Sequence, residues 1–171
     1  MSNSIVDAYY DRIKHNITEY VNNVSNNLLN GNTSITLIRV NANNLYFSHD
    51  GNDVLYDKNK IVLIKYPSGA TRTSYTVNAN TNVIASNAFS NNTYIQNVSL
   101  SGATNLSTIT NTAFVGCTSL TAVYFPNATP PSFTGYMTFP NNVGLKLYVP
   151  TGSEATYQNS LYLRTYTIQG Y

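Results

Sequence analysis

The chain has 171 residues, of which 42% are hydrophobic and only 9% charged, against about 25% charged in a typical soluble domain. That length holds one domain, or one domain with an appendage. A net charge of +2, scattered along the chain, excludes the basic footprint of a nucleic-acid binder. A single Cys excludes an internal disulfide, and no apolar run is long enough for a membrane-spanning helix. The first residues have neither the basic region nor the apolar core of a signal peptide. With so few charges, the surface is made of Asn, Ser, Thr and Tyr, and weak colloidal repulsion favours assembly into something larger.

Residues 4–29 have the spacing of one amphipathic helix. Ile5, Tyr9, Ile13, Ile17, Tyr20, Val24 and Leu28 fall three or four apart and form a single apolar stripe. Ser4 and Asp7 stand at capping-box spacing, and Asn30-Gly31 supplies a left-handed stop. The other face is rich in Asn and Thr, which are poor helix formers, so the stripe must pack on something. Residues 1–31 are thus an appendage with two open roles. They cap the rest of the chain, or they anchor it by self-association or by docking on a partner.

Residues 35–66 alternate like strands: 35–40, 45–47, 54–56 and 61–66, with turns at Asp50-Gly51 and at 57–60. Pro67 to Gly69 ends the last of these, and Tyr75 to Val77 opens a new run. The stretch 83–125 is a repeat. Ile84, Ala88, Phe89, Ile95, Val98 and Leu100 return as Ile109, Ala113, Phe114, Leu120, Val123 and Phe125, a period of about 25 residues. Each unit ends in a short alternating strand with two side chains inward. Phe89 and Phe114 fill the layer behind that strand, and one unit can bury its apolar face only against a neighbour.

Pro126 to Pro131 form a loop. Phe133, Tyr136, Met137 and Phe139 then crowd one short stretch and are expected to plug the last repeat. Leu145, Leu147 and Val149 mark a further strand, residues 154–159 a short closing helix, and residues 161–168 a last strand.

The repeat resembles the BspA-like leucine-rich-repeat family. The resemblance is carried by Ala88-Phe89, by the run from Ala113-Phe114 through Gly116-Cys117 to Leu120, and by Val123, Phe125 and Pro126. Residues 53–67 are similar to that family's opening hairpin, and residues 147–157 to its closing strand and cap. Ala85 and Thr110 stand where the family has glycine. The resemblance implies a short leucine-rich-repeat solenoid, here of class α+β, with the N-terminal helix and a β-hairpin cap, and residues 32–171 as one repeat domain. It also implies attachment to proteins or glycans at a surface.

Little in the chain suggests chemistry. The histidines are His15 and His49. His49 precedes Asp50, Asn52 and Asp53, but the terminal Glu of a calcium loop is missing and a hairpin turn accounts for these residues. No histidine stands near Cys117 in sequence, and its slot beside Gly116 suits buried packing. No metal, no cofactor and no catalytic residue is expected. What remains is the outward side of the repeat strands. Ser99 and Tyr124 lie there, with Thr76 and Tyr148 at the equivalent positions before and after, flanked by Asn97, Ala122 and Lys146. Tyr offers large contact area at low entropy cost.

Two functional readings follow. In the first, the chain is a non-enzymatic binding or attachment module, displayed on a bacterial surface or carried on a virion as a phage head fibre or decoration protein. Its partner is a protein or glycan, and the helix at 4–29 makes a homo-oligomer. The alternatives are an intracellular or secreted interaction scaffold and, least supported, a metal-dependent enzyme using His49, Asp50, Asp53 and Asp57.

Overall fold

The structure, a computed structural model, describes residues 14–24, 29, 32–142 and 144–171. Among these the chain is nearly all strand. In order come β1 (Lys14–Ile17), β2 (Leu37–Val40), β3 (Phe47–His49), β4 (Leu55–Asp57) and β5 (Val62–Lys65). Then follow β6 (Ser74–Thr76), β7 (Val83–Ile84), β8 (Asn97–Ser99), β9 (Thr108–Ile109) and β10 (Ala122–Tyr124). The chain closes with β11 (Ser132–Phe133), β12 (Lys146–Val149), a five-residue helix α1 (Glu154–Gln158) and β13 (Thr167–Gly170).

These strands build a solenoid with two parallel walls. One wall has the order β6, β8, β10, β12, β13, and every pair in it is parallel. The other runs β5, β7, β9, β11 in parallel and is extended by the antiparallel strands β4 and β3. Each coil sends one strand to each wall, so the repeat of the sequence becomes the register of the sheet. Asn97 lies opposite Ala122, Val98 opposite Val123 and Ser99 opposite Tyr124. The opening hairpin expected at 53–67 is the antiparallel pair β4–β5. A coil has strands too short to stand alone, and each is held by backbone hydrogen bonds to the coils beside it.

An aromatic column runs through the turns between the walls. Tyr66, Phe89, Phe114 and Phe139 stack at centroid distances of 5.2, 4.6 and 5.0 Å, with interplanar angles of 22°, 8° and 20°. All four are buried. The backbone beside the column keeps the same step. Tyr66 N–H donates to Ala88 O, Phe89 N–H to Ala113 O and Phe114 N–H to Thr138 O, at 2.7 to 2.8 Å. Phe89 and Phe114 thus sit in like surroundings, as the repeat requires. Phe139 joins them as a fourth rung instead of only plugging the end.

Asparagines tie coil to coil at a second place. The Asn92 amide donates to Pro67 O at 3.1 Å and Ala70 O at 2.8 Å. Its side-chain oxygen accepts from the backbone of Tyr94 and Ile95. Asn142 repeats the donation to Cys117 O and Leu120 O. Buried carbonyls at the bends have no strand partner, and a buried amide side chain satisfies two at once.

The helix expected over residues 4–29 does not run through the described part of that segment. Residues 14–17 form β1, which pairs in parallel with β2, Ile17 opposite Val40. The carbonyls that a helix would use internally are taken from outside. Asn41 N–H donates to Ile17 O, and the Asn44 amide donates to Thr18 O and Val21 O, each of these bonds at 2.8 Å. An Asn- and Thr-rich segment has little intrinsic helicity to resist this. The apolar stripe is split accordingly. Ile17 is buried, Val24 is half-buried against the same residues, and Tyr20 is 80% exposed. Ile5, Tyr9, Ile13 and Leu28 lie outside the described residues.

Ile17, Leu29, Ile35, Ile38, Val40 and Leu55 form a small core of their own, separate from the core of the solenoid. At the C-terminal end, residues 161–165 are turns and the last strand is β13, later than the alternation suggested.

Candidate functional site

The outward side of the five-stranded wall is a regular, all-parallel surface of the solenoid. Two rows of side chains cross it. Register places Ser74, Asn97, Ala122, Lys146 and Thr167 in one row and Thr76, Ser99, Tyr124, Tyr148 and Gln169 in the other. At the usual strand spacing of about 4.8 Å, each row spans roughly 19 Å. The seven residues singled out from sequence, Thr76, Asn97, Ser99, Ala122, Tyr124, Lys146 and Tyr148, are therefore brought together on one face. Thr76 and Lys146 are exposed and Asn97, Ser99, Tyr124 and Tyr148 half-buried, while Ala122 is 5% exposed and forms the floor between Asn97 and Lys146.

Tyr124 and Tyr148 dominate this face. Their rings stack at 4.6 Å and 11°. The C-terminal Tyr171 adds its edge to Tyr124 at 5.6 Å and 86°. Its hydroxyl donates to Phe125 O at 2.8 Å and its backbone N–H to Val149 O at 3.0 Å. Neither the Tyr124 nor the Tyr148 hydroxyl is used by another described residue. Stacking consumes the inner ring faces and leaves two hydroxylated edges toward solvent. Ser74, Thr167, Gln169 and Tyr171 were not legible as members of this face. Ser74 joins through β6 beside β8, whereas Thr167, Gln169 and Tyr171 depend on β13 docking beside β12, and the sequence signal for β13 was displaced toward 161–168.

Three solved structures are similar to this architecture. A leucine-rich repeat protein from Eubacterium ventriosum superposes with a TM-score of 0.69 at 22% identity, covering 81% of this chain and 36% of its own. A leucine rich cell surface protein from Faecalibacterium prausnitzii gives 0.57 at 18% identity, covering 92% and 47%. The pneumococcal vaccine antigen PcpA gives 0.53 at 19% identity, covering 93% and 56%. The chain has the leucine-rich-repeat fold.

That fold agrees with the resemblance carried by residues 113–126. Neither family models nor curated proteins match the sequence. The chain spans between about a third and somewhat over half the length of these repeat proteins.

Within the leucine-rich-repeat solenoid, the titratable residues considered for catalysis go separate ways. His49 Nδ1 accepts from Val40 N–H at 3.1 Å. Asp50 Oδ1 closes a turn with Asn52 and Val54 N–H, Asp57 accepts from Val62 N–H, and Asp53 pairs with Arg39 at 3.1 Å. No three His, Cys, Asp or Glu among the described residues are placed to hold a metal ion.

Other buried polar groups of the repeat core are likewise spent on structure. Cys117 takes the asparagine position of its coil and donates its thiol to Phe89 O at 3.0 Å, and burial pushes its pKa up to about 12. Lys65 Nζ donates to Asn87 O at 2.9 Å and Ser90 Oγ at 2.8 Å, and burial lowers its pKa to about 8. Tyr75 donates to Asp50 Oδ2 and contacts the Tyr56 hydroxyl, both at 2.6 Å. Among the described residues no helix is long and apolar enough to cross a membrane.

Proposed function

We propose that the chain is a non-enzymatic binding or attachment module that recognises a surface partner through the outward face of the five-stranded wall. The observation that carries this is the stacked pair Tyr124–Tyr148, held half-exposed in a hydroxyl- and amide-rich face whose one charge is Lys146. Tyr is the residue type that most often anchors protein interfaces, because it offers area and a hydrogen bond with few rotatable bonds. The similarity to a leucine rich cell surface protein supports display at a cell surface as the setting.

The test is retention of the fluorescent chain on bacterial and on epithelial cells. The wild type is expected to be retained on one of them. The Tyr124→Ser/Tyr148→Ser double variant is expected to wash off while still melting in one cooperative transition, lowered by a few degrees for the lost ring contacts. Equal retention of both proteins removes the face from consideration.

A further inference from the structure

The charges of this chain are not evenly placed. Residues 1–57 carry six carboxylates and three cations, a net of −3. Residues 58–171, which make up nearly all of the solenoid, carry six cations and one carboxylate, a net of +5. The one carboxylate, Glu154, lies in α1 and accepts from Gly152 N–H. Neither row of the outward face contains an acid, and Lys146 is its only charge. Lys146 is exposed, and its side-chain ammonium makes no ion pair or hydrogen bond with another described residue. Beside it in the same row, the small Ala122 lies buried between Asn97 and Lys146.

We infer that the partner of this face is a protein surface presenting carboxylates, one of which pairs with the Lys146 ammonium. The inference rests on the face being the binding surface, as proposed above, and adds the chemistry of its partner. An unpaired cation amid neutral donors attracts an anion and disfavours a cationic partner. The Asn97 amide and the two phenol hydroxyls are donors that a carboxylate and its neighbouring carbonyls accept. A protein fits better than an acidic sugar chain because of the ring geometry. Sugars stack best on wide open aromatic faces, whereas Tyr124 and Tyr148 spend their inner faces on each other at 4.6 Å and Tyr171 stands perpendicular to Tyr124 at 5.6 Å. Hydroxylated edges on a flat wall suit a protein surface.

The experiment is a titration of the isotope-labelled whole chain, followed by its amide resonances, with decaglutamate, decaglutamine and an oligogalacturonate. Decaglutamate is expected to shift Asn97, Tyr124, Lys146 and Tyr148, and decaglutamine to shift nothing. Lys146→Gln, an exposed substitution checked by an unchanged melting curve, is expected to weaken decaglutamate about tenfold, and about 0.5 M salt to abolish it. Absence of shifts at millimolar peptide overturns the inference. So do shifts confined to Lys60 or Arg72, or shifts indifferent to Lys146→Gln. Tighter binding of oligogalacturonate than of decaglutamate at the face replaces the protein partner by an acidic glycan. If cell retention is lost in the tyrosine double variant but unaffected by Lys146→Gln and by salt, the face remains the binding surface and the anionic partner is wrong.

Discussion

Cys117 occupies, one coil later, the position that Asn92 occupies in its own coil, and Asn142 occupies it in the next. The two asparagines each give two hydrogen bonds to carbonyls of the coil before, whereas the thiol gives one, to Phe89 O. Asn92→Ala strands Ala70 O as an acceptor and the buried Ile95 N–H as a donor, and it removes one of the two hydrogen bonds of Pro67 O and the partner of Tyr94 N–H. It should cost about 3 kcal/mol or more in a denaturant titration. Cys117→Asn should cost far less than that or stabilise, since it restores the amide the position is built for. In the native wild type the buried thiol should resist alkylation by iodoacetamide and react only after unfolding.

Thr112 has φ of +64°, in register with Asn87 at +58° in the coil before. Asn tolerates the left-handed region and a β-branched residue does not. Thr112→Asn should therefore stabilise the chain by about 1 kcal/mol, read as a rise in the melting temperature. A fall would mean that the Thr112 hydroxyl, which meets Ser86 Oγ at 3.1 Å, is worth more than the strain it sits in.

Alkaline pH should act on stability in two opposed steps. Lys65 is lowered by burial from 10.5 to about 8. Between those values the unfolded chain holds a proton that the folded chain has lost, so this group makes stability rise with pH. Tyr56 and Cys117 are raised by burial to about 12 from 10.0 and 9.0, and Tyr75 is raised in the same direction. Their contribution is present in full below the unfolded values and is lost as pH climbs through the folded ones. In denaturant titrations at about pH 7, 8.5 and 10, wild type should gain on Lys65→Met by roughly 2 kcal/mol as pH rises. Both proteins should lose stability above about pH 10. A gap that does not move with pH would show Lys65 to be ionised alike in both states.

The N-terminal unit is joined to the solenoid at Gly69. Its N–H donates to Ile35 O at 2.7 Å, and a Cβ placed there would lie 2.8 Å from Thr33 O and 2.9 Å from the Ser34 carbonyl carbon. Both are backbone atoms, which cannot swing aside. Gly69→Ala should loosen this unit, with the Ile38 and Val40 amides exchanging at least about tenfold faster. The Leu100 and Phe125 amides, inside the solenoid, should keep their protection. His49→Ala, which removes the acceptor of Val40 N–H, should act on the same two amides. Uniform acceleration across the chain would mean that the two cores unfold as one.

The repeat, its inward residues and the outward positions of its strands were legible because they depend on near neighbours along the chain. A period of two decides which side of a strand is buried, and a period of about 25 decides which residues stack. Phe89 over Phe114, and Ser99 beside Tyr124, follow from that alone. Tyr66 and Phe139 were not recognised as the outer rungs of the column, because neither follows an Ala as Phe89 and Phe114 do.

Residues 14–24 show the limit most clearly. Apolar residues three and four apart suit a helix, and the local pattern contains nothing against one. What decides for β1 is a set of partners 23 to 26 residues further on, namely Val40, Asn41 and Asn44. The same holds for Tyr171, which reaches the outward face only because β13 docks beside β12. The sequence by itself determined the periodic core, through spacing that buries one side of every coil. The tertiary structure decided the two ends, because there a backbone group has no repeat to copy and takes whichever distant hydrogen-bond partner folding brings within reach.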